Sequence, residues 1–269
     1  MSRLYVVGLG PGNRANLTQA SLAALEAADV VCGYRTYVEL ATAIVSHKPT
    51  YVTGMGGELE RCRWAVEAAA AGKDVALVCS GDAGVYGLAG VAIELARHAD
   101  NVEVEVVPGV TAALSGAAVL GAPLVNDFCC ISLSDHLTPW ETIEHRLRCV
   151  GEAGIALCLY NPSSRHRPNH LQRACDVLLQ VRKPDTACGW VRNIGRDGQT
   201  HGLLTLAELR DFDADMFTTV FVGAPQTVNV GGRMVTPRGY PSPARGTTDH
   251  TGTDERVIHA ADATGGACA

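Results

Sequence analysis

Two glycine-rich loops hold the side chains of this sequence that are best suited to binding a ligand. The segment Ser80–Gly87 follows the apolar run Val75–Cys79 and contains Asp82 and Tyr86 among three glycines. Glycines let backbone amides approach a ligand closely, and open α/β sheets bind ligands at the carboxyl ends of their strands. A tight turn with a solvated Asp82 would explain this loop alone. A second loop of the same kind, Gly8–Asn13, favours a binding site.

The opening loop, Gly8-Leu9-Gly10-Pro11-Gly12-Asn13, matches the first half of a dinucleotide-binding fingerprint and then departs from it. Asn13 stands where the third glycine belongs, and Pro11 removes a backbone amide that a pyrophosphate would need. The next strand runs into Gly33 and Tyr34, without the acidic residue that holds the ribose of a nicotinamide cofactor. The sequence therefore disfavours a dehydrogenase and predicts that Pro11 lines one side of a cleft.

Alternating strand and helix patterns must position these loops. Continuous apolar strands separated by helices predict a parallel sheet covered on both faces in the first part of the chain. Fewer helices separate the later strands, so a mixed sheet is expected there. The predicted strands are Leu4–Val7, Val30–Cys32, Val75–Cys79, Val102–Val107, Phe128–Leu133, Ile155–Tyr160, Thr186–Val191 and Thr218–Val222, with a hairpin over Val228–Val235. The predicted helices are Leu17–Ala28, Glu58–Ala71, Gly84–Arg97, Thr111–Leu120, Trp140–Val150 and Leu171–Val181.

These elements predict an α/β fold made of two α/β domains. Gly121-Ala122-Pro123 separates a domain over residues 1–120 from a domain over residues 121–240. The remaining residues, 241–269, have neither periodicity nor core residues, which predicts a poorly ordered tail. At the start of the first helix, Asn16 is the expected cap, with Gln19 three residues later.

The composition indicates a globular protein and disfavours several partners. Of the 269 residues, 47% are hydrophobic and 19% are charged, and no apolar run approaches the roughly 18 residues of a membrane helix. A net charge of −6 would repel nucleic-acid phosphates. The ten cysteines lack a Cys-x-x-Cys spacing, and Pro168 interrupts the pair His166 and His170. We therefore expect a reduced cytosolic protein with no metal site and no nucleic-acid or membrane partner.

Two arginine pairs could hold an anionic substrate despite the negative net charge. Arg165 and Arg167 flank a histidine, and Arg192 and Arg196 follow a predicted strand. A guanidinium group binds a carboxylate through two parallel hydrogen bonds, which a lysine does poorly. A solubilising surface is the alternative for either pair. We expect at least one arginine of each pair to face the cleft.

Six motifs in a fixed order resemble those of the tetrapyrrole methylases, enzymes that use S-adenosylmethionine to modify precursors of siroheme and corrins. The first half contributes Gly8–Gly12, Ser80–Gly87 and Pro108–Ala113, and the second half contributes Leu133–Trp140, Tyr160–Arg165 and Val191–Arg196. Within the family, the later motifs are similar to those of the members that methylate C-17 of precorrin-3B. The resemblance covers about residues 3 to 240.

The resemblance implies that S-adenosylmethionine binds in the cleft between the two domains and leaves as S-adenosylhomocysteine. The Asp82 loop would surround the sulfonium, and the second domain would supply the adenine pocket. Thr111 could also cap its helix. The residues implied to bind the cofactor are Pro11, Gly81, Asp82, Ala83, Gly84, Tyr86, Thr111, Ala112, Tyr160, Asn161, Asn193, Thr200 and Gly202, with His201, Ala224 and Pro225 as further candidates for the adenine pocket.

The implied reaction is methylation of precorrin-3B at C-17 with contraction of the macrocycle to precorrin-4. Methyl transfer to an electron-rich carbon depends mainly on alignment, which agrees with a sequence lacking a Ser-His-Asp signature. Ring contraction should need a general base. The candidates are Asp82, Tyr86, Asp135, His136 and Glu141, and we favour Asp135 with His136 as a pair that faces the tetrapyrrole substrate. The alternative for both is an ordinary turn before Pro139.

Two other functions fit parts of the same pattern. A sister enzyme that methylates another ring position, or a cobalt-containing intermediate, would share most of the motifs. A non-catalytic tetrapyrrole carrier would keep the arginines, but it would not need the Asp82 loop to hold a sulfonium. The family also leads us to expect a homodimer.

Overall fold

The chain forms two five-stranded sheets that are packed against helices, and a small three-stranded sheet. The computed structural model describes residues 1–240, without the side chains of residues 42 and 43, and Met1–Arg238 form one compact unit. The predicted tail over 241–269 lies outside the described residues. The domain boundary near residue 120 stays a prediction.

The strands and helices follow in chain order. The strands are β1 (Ser2–Gly8), β2 (Val30–Tyr34), β3 (Thr50–Thr53), β4 (Val75–Cys79), β5 (Val102–Val107), β6 (Gly121–Ala122), β7 (Phe128–Ser132), β8 (Ala156–Tyr160), β9 (Ala187–Arg192), β10 (Thr200–Thr205), β11 (Thr218–Val222), β12 (Val228–Val230) and β13 (Arg233–Val235). The helices are α1 (Gln19–Ala27), α2 (Arg35–Val45), α3 (Glu58–Ala70), α4 (Ala89–Ala96), α5 (Ala112–Leu120), α6 (Trp140–Glu152), α7 (His170–Leu178) and α8 (Leu206–Leu209).

The first sheet is entirely parallel, with the strand order β3-β2-β4-β1-β5. Its central strand β4 is buried along its whole length because helices cover both faces. One apolar layer involves α1 and α2, and the other involves α3 and α4. Since all five strands point the same way, their carboxyl ends lie along one edge.

The second sheet is mixed, with the order β10-β9-β11-β8-β7. Only the β7–β8 pair is parallel, and β11 runs antiparallel to both β8 and β9. The carboxyl ends of β7, β8 and β9 therefore share one edge, and those of β10 and β11 lie at the opposite edge. Helices α6 and α7 pack on one face and α5 on the other, where a Cβ at Gly116 would lie 2.7 Å from the Phe221 ring. The predicted fold class is confirmed.

Several local predictions were wrong. The helix predicted from Gly84 begins at Ala89, because the Asp82 carboxylate binds the amides of the intervening turn. Thr18, rather than Asn16, caps α1 by accepting from the Ser21 amide at 3.0 Å.

Five elements were not predicted: α2, β3, β6, β10 and α8. Helix α2 contains five β-branched residues, which favour strands over helices. Strand β3 is a four-residue edge strand with little apolar signal.

The cysteines behave as the sequence predicts. Six of the described cysteines, at positions 32, 62, 79, 158, 175 and 188, are buried, and each is a free thiol. In the described part of the chain, no cluster of three or more His, Cys, Asp or Glu residues could hold a metal ion. Within residues 1–240, no helix has both the length and the apolar character needed to span a bilayer.

Candidate active site

Three loops converge at the carboxyl edge of the first sheet. They follow the neighbouring strands β4, β1 and β5 and carry the three motifs of the first half. Gly10 and Gly81 exchange backbone hydrogen bonds of 2.9 and 2.8 Å. A Cβ added to Gly109 would lie 2.2 Å from the Gly81 carbonyl oxygen and 2.7 Å from the Gly8 carbonyl. Glycine is therefore required here so that three backbones can touch.

The Asp82 carboxylate ties two of these loops together. Its Oδ1 accepts from the Gly84 and Val85 amides at 2.8 and 3.1 Å, and its Oδ2 accepts from the Gly109 amide at 3.0 Å. Three amide donors on one carboxylate favour a role in positioning the loops over a role in proton transfer.

Backbone amides remain available beside this carboxylate. Among residues 1–240, no acceptor is bonded to the amides of Asp82, Ala83 or Ala112. The Ala112 amide opens helix α5, and a Cβ on Gly81 would lie only 3.7 Å from it. Unpaired amides at strand and helix ends suit the carboxylate and hydroxyl oxygens of a ligand. This donor set fits the polar groups of S-adenosylmethionine.

Tyr160, at the carboxyl end of β8, joins the second sheet to the first. Its hydroxyl is 2.6 Å from Thr111 Oγ1 and accepts from the Ala113 amide at 2.8 Å. Burial raises the pKa of this phenol to about 12. Thr111 occupies the N-cap position of α5, but its side chain bonds Tyr160 instead of capping the helix.

Tyr86 makes a second link between the sheets. Its hydroxyl donates to the Cys130 carbonyl of β7 at 2.9 Å, and its ring centroid is 5.0 Å from that of Tyr160. The residue is 54% exposed, so one side of the ring is open to solvent. The carboxyl edges of the two sheets thus meet across this tyrosine pair.

Three side chains at these edges have strained backbones. Among residues 1–240, Tyr86, Asn161 and Asn193 alone combine a side chain with a positive φ, of 55°, 53° and 53°. Each follows the carboxyl end of a strand, and each is a candidate from the sequence. Such strain persists only where the surroundings enforce it and is concentrated at functional sites. It offers independent support for these three candidates.

The arginines are placed differently from one another. Arg196 reaches the first sheet, where its Nε donates to the Pro11 carbonyl at 3.1 Å and its Nη2 to Ser80 Oγ at 3.0 Å. Pro11 is buried under this contact instead of facing an open cleft. Arg192 is paired with Asp215 at 3.1 Å, so it is already neutralised.

The other arginine pair lies in the turn after β8. Arg167 donates to Ser164 Oγ at 3.2 Å, and its Nη1 is buried without a partner among the described residues. Arg165 is exposed at the tip of the turn. Only Arg196 of the four thus contacts the loops of the first sheet.

Asp135 pairs with a histidine that the sequence did not indicate. Its Oδ2 lies 3.0 Å from His170 Nε2 at the start of α7, whereas His136 is exposed. His170 is buried against Trp140, with ring centroids 5.0 Å apart. The hydrogen bond from His170 is the main cause that lowers the pKa of Asp135. That Asp135 and His136 both face the substrate stays a prediction, and the histidine that contacts Asp135 is His170, the first residue of the helix after the neighbouring strand β8.

The candidates for the adenine pocket separate into two groups. Asn161 donates to Ser132 Oγ at 2.9 Å at the carboxyl edge, and Thr200 pairs with Arg192 at the same edge. Gly202 lies further along β10, where a Cβ would meet the Trp190 indole at 2.9 Å.

Ala224 and Pro225 do not lie near the other candidates. They follow β11 at the opposite edge, where Pro225 packs 3.5 Å from the ideal Cβ position of Gly154. Pro225 there lines a cavity of about 720 Å³. The structure does not bring these two residues to the site.

Fold and site together define a class: an α/β protein whose ligand loops project from the carboxyl edges of a parallel and a mixed sheet. A family model described as Tetrapyrrole (Corrin/Porphyrin) Methylases matches residues 3–210. The chain belongs to this family.

Similar proteins extend over nearly the whole chain. A probable cobalt-factor III C(17)-methyltransferase of Salmonella typhimurium is 47% identical over 88% of this chain and 99% of its own. A precorrin-3B C(17)-methyltransferase of Sinorhizobium is 38% identical over 83% of this chain and 89% of its own. The crystal structure of the methyltransferase CobJ superposes with a TM-score of 0.82 at 37% identity, covering 88% of this chain and all of the other.

Proposed function

We propose that this protein transfers the methyl group of S-adenosylmethionine to C-17 of a corrin precursor. The proposal depends on one observation: the carboxyl edges of the two sheets face each other. Unpaired backbone amides and the rings of Tyr86 and Tyr160, which contact each other, lie where these edges meet. The near full-length similarity to C-17 methyltransferases supports this particular reaction.

The bound cofactor would supply a methyl group on a positively charged sulfur. The chain's own part is to bind and orient. The Ala83 and Ala112 amides would hold oxygen atoms of the cofactor, and the Asp82 carboxylate keeps the loops that carry these amides in place. Tyr86 and Tyr160 would exclude water from the carbon–sulfur bond that breaks while the bond to C-17 forms. Alignment of this kind lowers barriers by roughly 7–11 kcal/mol in favourable cases.

The cobalt-containing precursor is the substrate that we favour. The Salmonella relative, named for cobalt-factor III, is 47% identical, whereas the Sinorhizobium relative, named for precorrin-3B, is 38% identical. To test both, the purified protein is incubated with methyl-labelled S-adenosylmethionine and either cobalt-factor III or precorrin-3B, and products are analysed by mass spectrometry.

One added labelled methyl group, with faster turnover of cobalt-factor III, is expected. Methylation at another ring position would instead identify a sister enzyme. Binding of the tetrapyrrole without transfer would identify a carrier. Either result would contradict the proposal.

Ring contraction belongs to the same proposal, and Asp135 is the side chain that we assign to its proton transfer. His170 fixes one carboxylate oxygen at 3.0 Å, and the Asp135 side chain is still 36% exposed toward solvent. Asp135→Asn should allow methyl transfer and reduce the contracted product at least 10-fold, as general-base removal commonly does. Equal amounts of contracted product in both proteins would exclude Asp135.

A cytoplasmic location and a homodimer complete the proposal. The location is inferred from the cysteine pattern, and the homodimer from the family resemblance. Light scattering coupled to size-exclusion chromatography tests the dimer, and a monomeric mass at assay concentration would contradict it.

A further inference from the structure

Arg196 is held in place with one nitrogen unused. Its Nε and Nη2 donate to Pro11 and Ser80, and no atom of residues 1–240 is bonded to Nη1. Gly12 packs directly on the aliphatic part of the Arg196 side chain, and a Cβ on Gly12 would lie only 2.5 Å from Arg196 Cγ. Burial lowers the pKa of this guanidinium, as expected for a cation without a carboxylate partner. The arginine is therefore oriented in advance, and its charge is not neutralised.

Tyr37 supplies a second unused donor close by. It lies in the first turns of α2, directly after β2, which is the neighbour of β4 in the sheet. Its hydroxyl has no hydrogen-bond partner among the described residues, although the side chain is half-buried. Gly33 of β2 is in register with Val78 of β4, so the start of α2 lies near Ser80, which Arg196 contacts. Burial raises the pKa of the Tyr37 phenol, and the charge of Arg196 opposes the rise.

The surroundings keep Tyr37 rigid. Its ring meets the edge of the Tyr34 ring at a centroid distance of 5.2 Å, and the Arg61 guanidinium lies 6.0 Å above Tyr34. Arg61 is itself engaged by the Gly54 carbonyl at 3.0 Å and the Glu58 carboxylate at 3.3 Å. Arg61 is therefore held through its terminal nitrogens, and its Nε is buried without a partner among residues 1–240. Arg196 and Tyr37 each keep one donor that no residue of 1–240 accepts.

We propose that Arg196 Nη1 and the Tyr37 hydroxyl form a binding subsite for one carboxylate substituent of the tetrapyrrole. The inference rests on the proposed function, which supplies a substrate with several carboxylates. The subsite lies beside β2 and β4, whereas Tyr160 contacts Thr111 at the start of α5, and we assign the subsite to the macrocycle rather than to the cofactor. The first turn of α2 thereby gains a role that no motif in the sequence indicated.

The test is the variant Tyr37→Phe, which removes one hydroxyl and leaves the contacts of Arg196 with Pro11 and Ser80 in place. The KM for cobalt-factor III should rise about 10-fold or more, the loss expected for a hydrogen bond to a charged group. The kcat and the affinity for S-adenosylhomocysteine should be unchanged. Tyr51→Phe is the matched control, because the Tyr51 hydroxyl bonds Glu60 at 2.8 Å on the outer strand β3. This control should behave as the wild type does.

An unchanged KM in Tyr37→Phe would overturn the subsite and leave the proposed function standing. An equal loss of affinity for S-adenosylhomocysteine would also overturn it, because Tyr37 would then belong to the cofactor site. Wild-type protein that binds S-adenosylhomocysteine but no cobalt-factor III or precorrin-3B would overturn the proposed function and the subsite with it. Binding is followed by absorbance titration of each tetrapyrrole.

Discussion

The two sheet edges that form the site are built in different ways. At the first edge, glycine backbones touch one another, and a single carboxylate, Asp82, binds three amides. At the second edge, side chains make the contacts: Tyr160 bonds Thr111, Asn161 bonds Ser132, and Asp135 pairs with His170. Apart from Asp82, the first edge is therefore specified by the absence of side chains and the second by their identity. Substitutions should harm the first edge through steric overlap and the second through lost bonds.

The largest effect is expected from Gly109→Ala at the first edge. The added Cβ would overlap three backbone atoms of Gly8 and Gly81, none of which can rotate away. The free energy of unfolding should fall by about 3 kcal/mol or more. Gly84→Ala is the control, since its Cβ would meet only Asp82 Oδ1, at 3.3 Å. Urea denaturation measures the stability of both variants. Equal free energies of unfolding for Gly109→Ala and Gly84→Ala would contradict the steric requirement at Gly109.

Asp82→Ala should come next, because it leaves three amides without an acceptor. A loss of about 1–3 kcal/mol in stability is expected, together with weaker binding of S-adenosylhomocysteine by calorimetry. Asp74→Ala provides the comparison, since Asp74 accepts from the Arg3 amide at 2.8 Å at the opposite end of the same sheet. That variant should lose stability without losing cofactor affinity. If both variants bind S-adenosylhomocysteine equally well, Asp82 does not support the cofactor loop.

At the second edge, Tyr160→Phe should have a smaller effect than either change above. It removes the acceptor of the Ala113 amide and the partner of Thr111, which should cost about 1–2 kcal/mol. Tyr86→Phe removes a single bond to the Cys130 carbonyl and should cost less. Thermal unfolding compares the two variants, and Tyr160→Phe should have the lower Tm. A lower Tm for Tyr86→Phe would show that Tyr86 is the main link between the edges.

The smallest effect is a pH dependence from Asp135. Because its pKa is lowered in the folded state, its pairing with His170 stabilises the protein above the unfolded value of about 3.9 and is lost as pH falls through the folded pKa. Asp135→Asn should therefore show a shallower loss of stability below about pH 4 than the wild type. The Glu208 carboxylate, whose pKa is also lowered by its bonds to Thr205, contributes equally to both proteins. Parallel acid-denaturation curves would contradict the pairing.

Much of the site could be predicted because its signals are local. The glycine loops follow apolar strands directly, so Asp82, Gly81 and Tyr86 were assigned to the correct edge. His170 was missed because a buried histidine at a helix start has no pattern of its own. The contact of Arg196 with Pro11 joins loops far apart in the chain, and no spacing indicates it.

The sequence by itself determined the order of most strands and helices, the mixed character of the second sheet and the family, since strand and loop patterns depend on neighbouring residues. The tertiary structure decided which distant side chains meet: Asp135 pairs with His170 and Arg192 with Asp215, whereas Ala224 lies away from the site. The reason is geometric. The direction of each strand places its two ends at opposite edges of a sheet, and that direction is fixed by pairing with strands elsewhere in the chain.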